Sequence, residues 1–453
     1  MIQRVTVLAI LIGVMVVIVH TRIIERVNHV SPTLVLGFLL LAAYSTGFVL
    51  EKVKLPKITG YIVAGLIFGP HVLRLASKES IVDLSFINSL ALAFIAFCAG
   101  GELKISSIKK RFKSILSLVI SQTIVVFVGV STVVFFLLDF MAIFTDIGFS
   151  NRIVISLIFG VISVARSPSS TIAIISETKA KGTYTDSVLS VTVVIDVVVI
   201  VLFGIVLSFC QVIVTGNGSI DWVFVLILLI EISVAFIIGG FLGKGIVYLI
   251  QHVRVEFPVV LIGIGFMVIK FSHFFSSYLQ DHYDVSINLE PLLICMSAGF
   301  TVQNFSNFGS EFLAKMDRVS LPIYVVFFAI TGASINIEVL QTAWIFGIIL
   351  VCTRLAMLHI ASLLSGIISR DNPLLYKHYW LGFITQAGVS LGLLTEIVRR
   401  FPTIGIPIQS LLIAAITINQ LIGPIVFKYA LNKVGDANRQ SNSSTFIASG
   451  AKK

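Results

Sequence analysis

Residues 163–170 read SVARSPSS, and they interrupt a long apolar run at 151–177. Pro168 removes a backbone donor and disfavours helical geometry at Ser167, so a helix entering this stretch must break there. A second run, 378–401, is interrupted by TQAGVSLG at 385–392, which carries Gly388 and Gly392. In lipid a broken helix is tolerated only where neighbouring groups satisfy its freed backbone, so each break marks a place where the protein lines a site.

The rest of the chain sets these breaks in a membrane. Of its 453 residues 57% are hydrophobic and 12% charged, far from the roughly 25% charged residues of a soluble domain. Spans of about 20 apolar residues are predicted at 4–20, 33–50, 58–76, 86–101, 114–138, 151–177, 184–210, 221–250, 256–277, 287–305, 321–340, 342–366, 378–401 and 404–431. The fold class is therefore an all-α polytopic membrane protein with about thirteen or fourteen transmembrane helices. The runs are continuously apolar rather than alternating, which excludes an outer-membrane barrel. The first run lacks a small-residue cleavage site and reads as a helix, not a signal peptide.

Basic residues recur in every second loop: Lys52, Lys54 and Lys57; Lys104, Lys109, Lys110, Arg111 and Lys113; Lys179 and Lys181; Lys244 and Arg254; Lys315 and Arg318; Arg370 and Lys377. By the positive-inside rule both termini are predicted to be cytoplasmic, in a cell (inner) membrane. The net charge of +10 is then mainly an orientation signal, and no soluble basic domain exists for nucleic acid. Cys98, Cys210, Cys295 and Cys352 fall in or beside spans without CxxC spacing, so neither a disulfide nor a zinc site is expected. No metalloprotease motif, nucleophile and base set or cofactor motif is present, which argues against an enzyme and against a bound cofactor.

Few ionisable residues lie inside spans: Arg166, Asp196, Glu231, Lys270, Arg354 and Glu396. Each costs roughly 2.5–3.5 kcal/mol at a helix centre, so such residues pair or mark a substrate path. At 1.5 Å per residue Asp196 lies ~18 Å from the base-rich end of its helix and Arg354 ~18 Å from the opposite end of its own, both near the midplane. Glu231 and Lys270 read as a structural pair, His273 and His359 as packing residues, and Glu102 and Glu396 as acids near span ends.

The two breaks hold similar places in the two halves of the chain and run in opposite directions. AFIAFCAGGELKI (93–105) also resembles VVFFAITGASINI (325–337). The predicted organisation is an extra N-terminal helix and loop (1–32), a first six-helix repeat (33–210), a linker helix (211–255), an inverted second repeat (256–431) and a disordered cytoplasmic tail (432–453). Paired interrupted helices are the sequence mark of a secondary transporter's midplane site.

LPKITGYIVAGLIFGPHVL (55–73), FCAGGEL (97–103), the RSP break with Glu177 and Gly182 after it, Asp196, LPIYVVFFAITGASI (321–335) and QAGVSLGL (386–393) follow in order. Together they resemble the cation/proton antiporter superfamily, in the branch containing the Kef-type potassium/proton antiporters, over residues 33–431. The resemblance implies a homodimer in lipid whose core domain carries two crossing, partly unwound helices, with one carboxylate that binds either a proton or a monovalent cation. Carried over by position, that carboxylate is Asp196, with Thr192 one turn earlier and Ser167 in the unwound segment as ligands, and Arg354 and Gln386 as charge-balancing or accessory groups. Electrogenic members tend to carry two adjacent acids; here Ile195 precedes a single one, which implies electroneutral exchange.

Two departures stand out. Arg166 replaces the Thr or small polar residue common before Ser-Pro, and a cation there repels Na+ or K+. Its side chain is expected to turn away, toward a carboxylate such as Glu177, or the substrate or coupling differs. The Kef-type nucleotide-binding domain is not seen, so nucleotide or glutathione gating is not expected. An inverted-repeat carrier for an anion or organic solute, favoured by Arg166 beside Arg354, and a non-transporting sensor are the other classes.

Overall fold

The computed structural model describes residues 2–20, 31–140, 148–215, 222–252, 257–283, 289–386 and 389–437. Among them are eighteen α-helices and no strand: α1 Ile2–His20, α2 Pro32–Lys52, α3 Lys57–Phe68, α4 Lys78–Asp83, α5 Ser85–Glu102, α6 Ile105–Lys110, α7 Phe112–Leu137, α8 Phe149–Val164, α9 Pro168–Thr178, α10 Thr183–Thr215, α11 Trp222–His252, α12 Phe257–Tyr283, α13 Pro291–Phe305, α14 Gly309–Ala333, α15 Ile337–Ser369, α16 Pro373–Tyr376, α17 Val389–Arg400 and α18 Pro402–Val434. Nine spans among the described residues are long and apolar enough to cross a membrane, and the protein is an integral, multi-pass membrane protein. All four cysteines are free.

The predicted interruptions are real. The span at 151–177 is two helices, α8 and α9, separated by Ala165–Ser167, with Ser167 capping α9 and Pro168 in its first position. The span at 378–401 is a 3-10 turn, Tyr379–Phe383, a non-helical stretch at 384–386 and α17; Gly388 lies outside the described residues. Several boundaries differ from the reading of hydropathy, two of them by eight residues or more. The helix expected at 58–76 ends at Phe68, because Gly69 turns extended and Pro70 follows. The one expected from 321 begins at Gly309, its first turns being too polar to register as a span.

The chain forms two compact units, Met1–Glu102 with Ile238–Asp281 and Pro291–Glu338, and Leu103–Ile237 with His282–Glu290 and Val339–Lys453. Each unit takes helices from both of the expected repeats.

In the first unit α5 packs on α13 and α3 on α14, and glycines set both crossings. A Cβ on Gly100 would run into the Met296 carbonyl, and one on Gly299 into that of Phe97. Likewise a Cβ on Gly65 would strike the Ala329 carbonyl, and one on Gly332 that of Ile62. Only glycine lets two backbones approach so closely. The displacement along the sequence that takes Gly100 to Gly332 also takes Phe97 to Ala329, and the one that takes Gly65 to Gly299 takes Ile62 to Met296. The crossings are thus copies of each other, as an internal repeat requires.

The second unit holds α7–α10 and α15–α18. Residues 432–437, expected to begin a disordered tail, are ordered in it. The last helix runs to Val434, stops at Gly435 in the left-handed region (φ 78°), and buries Asp436. Asp436 Oδ2 accepts from the Thr185 N–H and the Thr185 hydroxyl, each at 3.0 Å, and its carbonyl accepts from the Lys181 N–H at 3.0 Å. A carboxylate on the first turn of α10 suits the positive end of that helix. Residues 438–453 lie outside the described ones.

Candidate functional site: two crossed helix breaks beside Asp196

Where α8 stops, the carbonyls of its last turn lose their partners. Arg354, on α15 and 1% exposed, supplies them. Its Nε donates to Ser163 O at 2.8 Å and its Nη2 to Ala165 O at 3.2 Å. The same guanidinium reaches the second break, donating to Ile384 O at 2.7 Å and Phe383 O at 3.1 Å. The two breaks also bond directly, the Ser167 N–H donating to Thr385 O at 3.1 Å. Gln386 closes the crossing: its Nε2 donates to Ile162 O at 3.0 Å, and its Oε1 accepts from Asn419 Nδ2 at 2.8 Å.

Arg166, also 1% exposed, does not reach for Glu177, which pairs with Lys428 at 3.2 Å. It donates through Nη1 to Phe383 O at 3.0 Å and through Nη2 to Gln122 Oε1, and its guanidinium lies 4.4 Å from the centre of the Phe383 ring. The guanidinium is thus bound by an amide and a carbonyl, not by the carboxylate expected from the sequence.

Asp196 sits on α10, which packs against α8 and α9. It is 9% exposed, and its Oδ1 is buried without a hydrogen-bond partner. Thr192, one turn earlier and buried, donates its hydroxyl proton to Val188 O at 2.8 Å, which leaves its oxygen able to accept or to ligate. Ser167 Oγ accepts from the Ser170 N–H at 3.2 Å and lies within 3.1 Å of Ser169 Oγ, so it is more fully used. Of the other ionisable candidates, Glu396 pairs with Arg399 and Arg400, His359 lies edge-on to Trp380, and Lys270 lies over the Phe266 ring.

Hydropathy and charge did not single out Gln122 or Asn419. A lone amide in the apolar span 114–138 is the signal that marks Gln122, because a buried amide in a membrane helix must find partners.

A buried carboxylate with an unused oxygen, a hydroxyl one turn away and converging helix ends has the chemistry to take a proton or a hard monovalent cation, which prefers oxygen ligands.

The chain is similar to curated proteins and solved structures. It is 24% identical over 202 residues to a probable Na+/H+ antiporter, GerT, of Bacillus cereus, covering 44% of this chain and 49% of that one. It is 26% identical over 160 residues to a probable Na+/H+ antiporter of Methanocaldococcus jannaschii, covering 35% and 38%. The matches thus span half or less of the length of these curated relatives, and they do not single out the Kef branch. Two structures of the sodium proton antiporter MjNhaP1 of Methanocaldococcus jannaschii share the fold. One, at pH 8, has TM-score 0.62 at 17% identity over 89% of this chain and 96% of that one. The other has TM-score 0.70 at 18% identity over 88% and 95%. The pattern of the transmembrane sodium/hydrogen exchanger family matches residues 37–433, nearly the whole helical part, and the chain belongs to that family.

Proposed function

We propose that this protein exchanges a monovalent cation, Na+ or K+, for H+ across the membrane by alternating access, one cation per proton. Asp196 is the shared site. The observation that carries this reading is the Asp196 Oδ1, buried beside two crossed helix breaks with no hydrogen bond. A fixed structural carboxylate would have its oxygens satisfied; one that trades ligands must keep an oxygen free. A proton or a cation occupies it in turn, so release of one is coupled to uptake of the other, with Thr192 and Ser167 as further oxygen ligands. Movement of the unit holding both breaks carries the site between the two sides, in a homodimer embedded in lipid with both termini cytoplasmic. The protein is a transporter, not an enzyme.

The anion-carrier reading rested on Arg166 beside Arg354. Both guanidiniums are committed to carbonyls and to Gln122, which leaves little for an anion to bind.

Proteoliposomes with an internal pH dye test the reading. Adding Na+, K+ or Li+ is expected to move protons with the unmodified protein and to do nothing with Asp196→Asn. Flux that persists in a folded Asp196→Asn variant would remove the carboxylate from the mechanism. An exchange rate or end point that follows an imposed membrane potential would reject the one-to-one stoichiometry.

A further inference from the structure

Gln122 is fully buried on α7. Its Nε2 donates to Ser362 Oγ on α15 at 3.0 Å, which fixes the amide so that Oε1 faces Arg166 and accepts from its Nη2. The displacement that relates the glycine crossings, Gly100 to Gly332, also takes Gln122 to Arg354. Two corresponding positions on α7 and α15 therefore both serve the breaks, one by binding carbonyls and the other by binding an arginine.

Arg166 and Asp196 are opposite charges in one unit, Arg166 in the break between α8 and α9 and Asp196 on α10, which packs against both of those helices. Each also keeps a buried polar atom without a hydrogen bond, Nε on Arg166 and Oδ1 on Asp196. A tethered guanidinium competes with any dissolved cation for a nearby carboxylate at high effective concentration. What holds Arg166 in place is Gln122 on one side and the carbonyl and ring of Phe383 on the other.

We propose that Gln122 is a positioning residue that keeps the Arg166 guanidinium off Asp196, and so sets how tightly the transported cation binds. This rests on Asp196 being the ion site. Without Gln122 the guanidinium pairs with the carboxylate for part of the time, and the transported cation must displace it.

The test is the KM for the driving cation in the same proteoliposomes at fixed pH. If the released Arg166 occupies Asp196 nine-tenths of the time, Gln122→Leu raises the KM about tenfold, with the maximal rate per folded protein little changed. Gln122→Glu, which still accepts from Arg166 and can accept from Ser362, restores the KM. In an Arg166→Gln background Gln122→Leu leaves the KM where it stood. Ser362→Ala, which only unfastens the amide, raises the KM by less. A Gln122→Leu variant that loses rate at constant KM, or that raises the KM equally without Arg166, overturns the proposal. Should Gln122→Leu not fold, an unchanged KM in Ser362→Ala overturns it instead. Absence of cation-driven flux in the unmodified protein would refute the Asp196 reading itself, whereas normal flux with an unmoved KM refutes only the role of Gln122.

Discussion

The two units solve the same problem, close approach of helices in lipid, by opposite means. In the first, intact helices cross through Gly65, Gly100, Gly299 and Gly332. Their backbone hydrogen bonds are internal, so contact needs only the absence of side chains. In the second, the helices are broken where they cross, and the freed carbonyls are bound by Arg354, Arg166 and Gln386. The difference separates scaffold from site. A glycine crossing is inert, whereas a broken one needs fixed charge, and fixed charge is what a mobile ion can exploit.

The largest expected effect comes from breaking the second crossing at Arg354. In Arg354→Met the carbonyls of Ser163, Ala165 and Ile384 lose their donor, while Phe383 O keeps Arg166. At about 1–3 kcal/mol per buried unsatisfied group, the variant is expected to lose most of its thermal stability in detergent. Arg354→Lys rescues little, because one ammonium cannot span both breaks as a guanidinium does. Wild-type melting of the lysine variant would show that charge, and not the fork of donors, holds the crossing.

The glycine crossing is expected to break at a lower cost. Gly100→Ala places a methyl against the Met296 carbonyl, an overpacking worth about 1–3 kcal/mol. Gly332→Ala should match it if the two crossings are copies. Gly263→Ala is the control, since no atom lies within 4 Å of its Cβ. Thermal melts that leave Gly100→Ala level with Gly263→Ala would show that the close approach is not real.

How much of this was legible in the sequence follows from the same contrast. The breaks were readable because Pro168 has a local consequence for the backbone, and Asp196 because a carboxylate in an apolar run is costly wherever it lies. The destination of Arg166 was not readable, because its partner Gln122 is 44 positions away and an uncharged amide stands out little from hydropathy. Arg354 was read as charge balance for Asp196; its four carbonyl partners lie in segments that meet only in the folded unit. The burial of Asp436 was hidden for a similar reason, since the residues after it are rich in Ser and Asn and its partner Thr185, at the N-terminus of α10, is 251 positions away.

The smallest effect concerns how the second break is fastened at the base-rich end of its unit. Asp371, between α15 and α16, accepts at Oδ2 from Arg111, from Ser114 Oγ at 2.7 Å and from Tyr379 Oη at 2.9 Å, and at Oδ1 from the Asn372 N–H at 2.9 Å. Tyr379 begins the 3-10 turn that delivers the Phe383 carbonyl to both arginines. Burial alone would raise the Asp371 pKa, but the bonds from Ser114, Arg111 and Asn372 together with the Arg111 charge hold it below the usual carboxylate value. A depressed value in the folded state means that the stabilisation is complete above the unfolded value of about 3.9 and fades as pH falls through the folded one. Asp371→Asn keeps one acceptor oxygen and is expected to cost about 1 kcal/mol at pH 7. Melting curves of the two proteins should stay a constant distance apart from pH 7 to pH 5 and converge only at more acidic pH. A gap that closes already between pH 7 and 5 would place the titration elsewhere and detach Asp371 from the anchoring of the break.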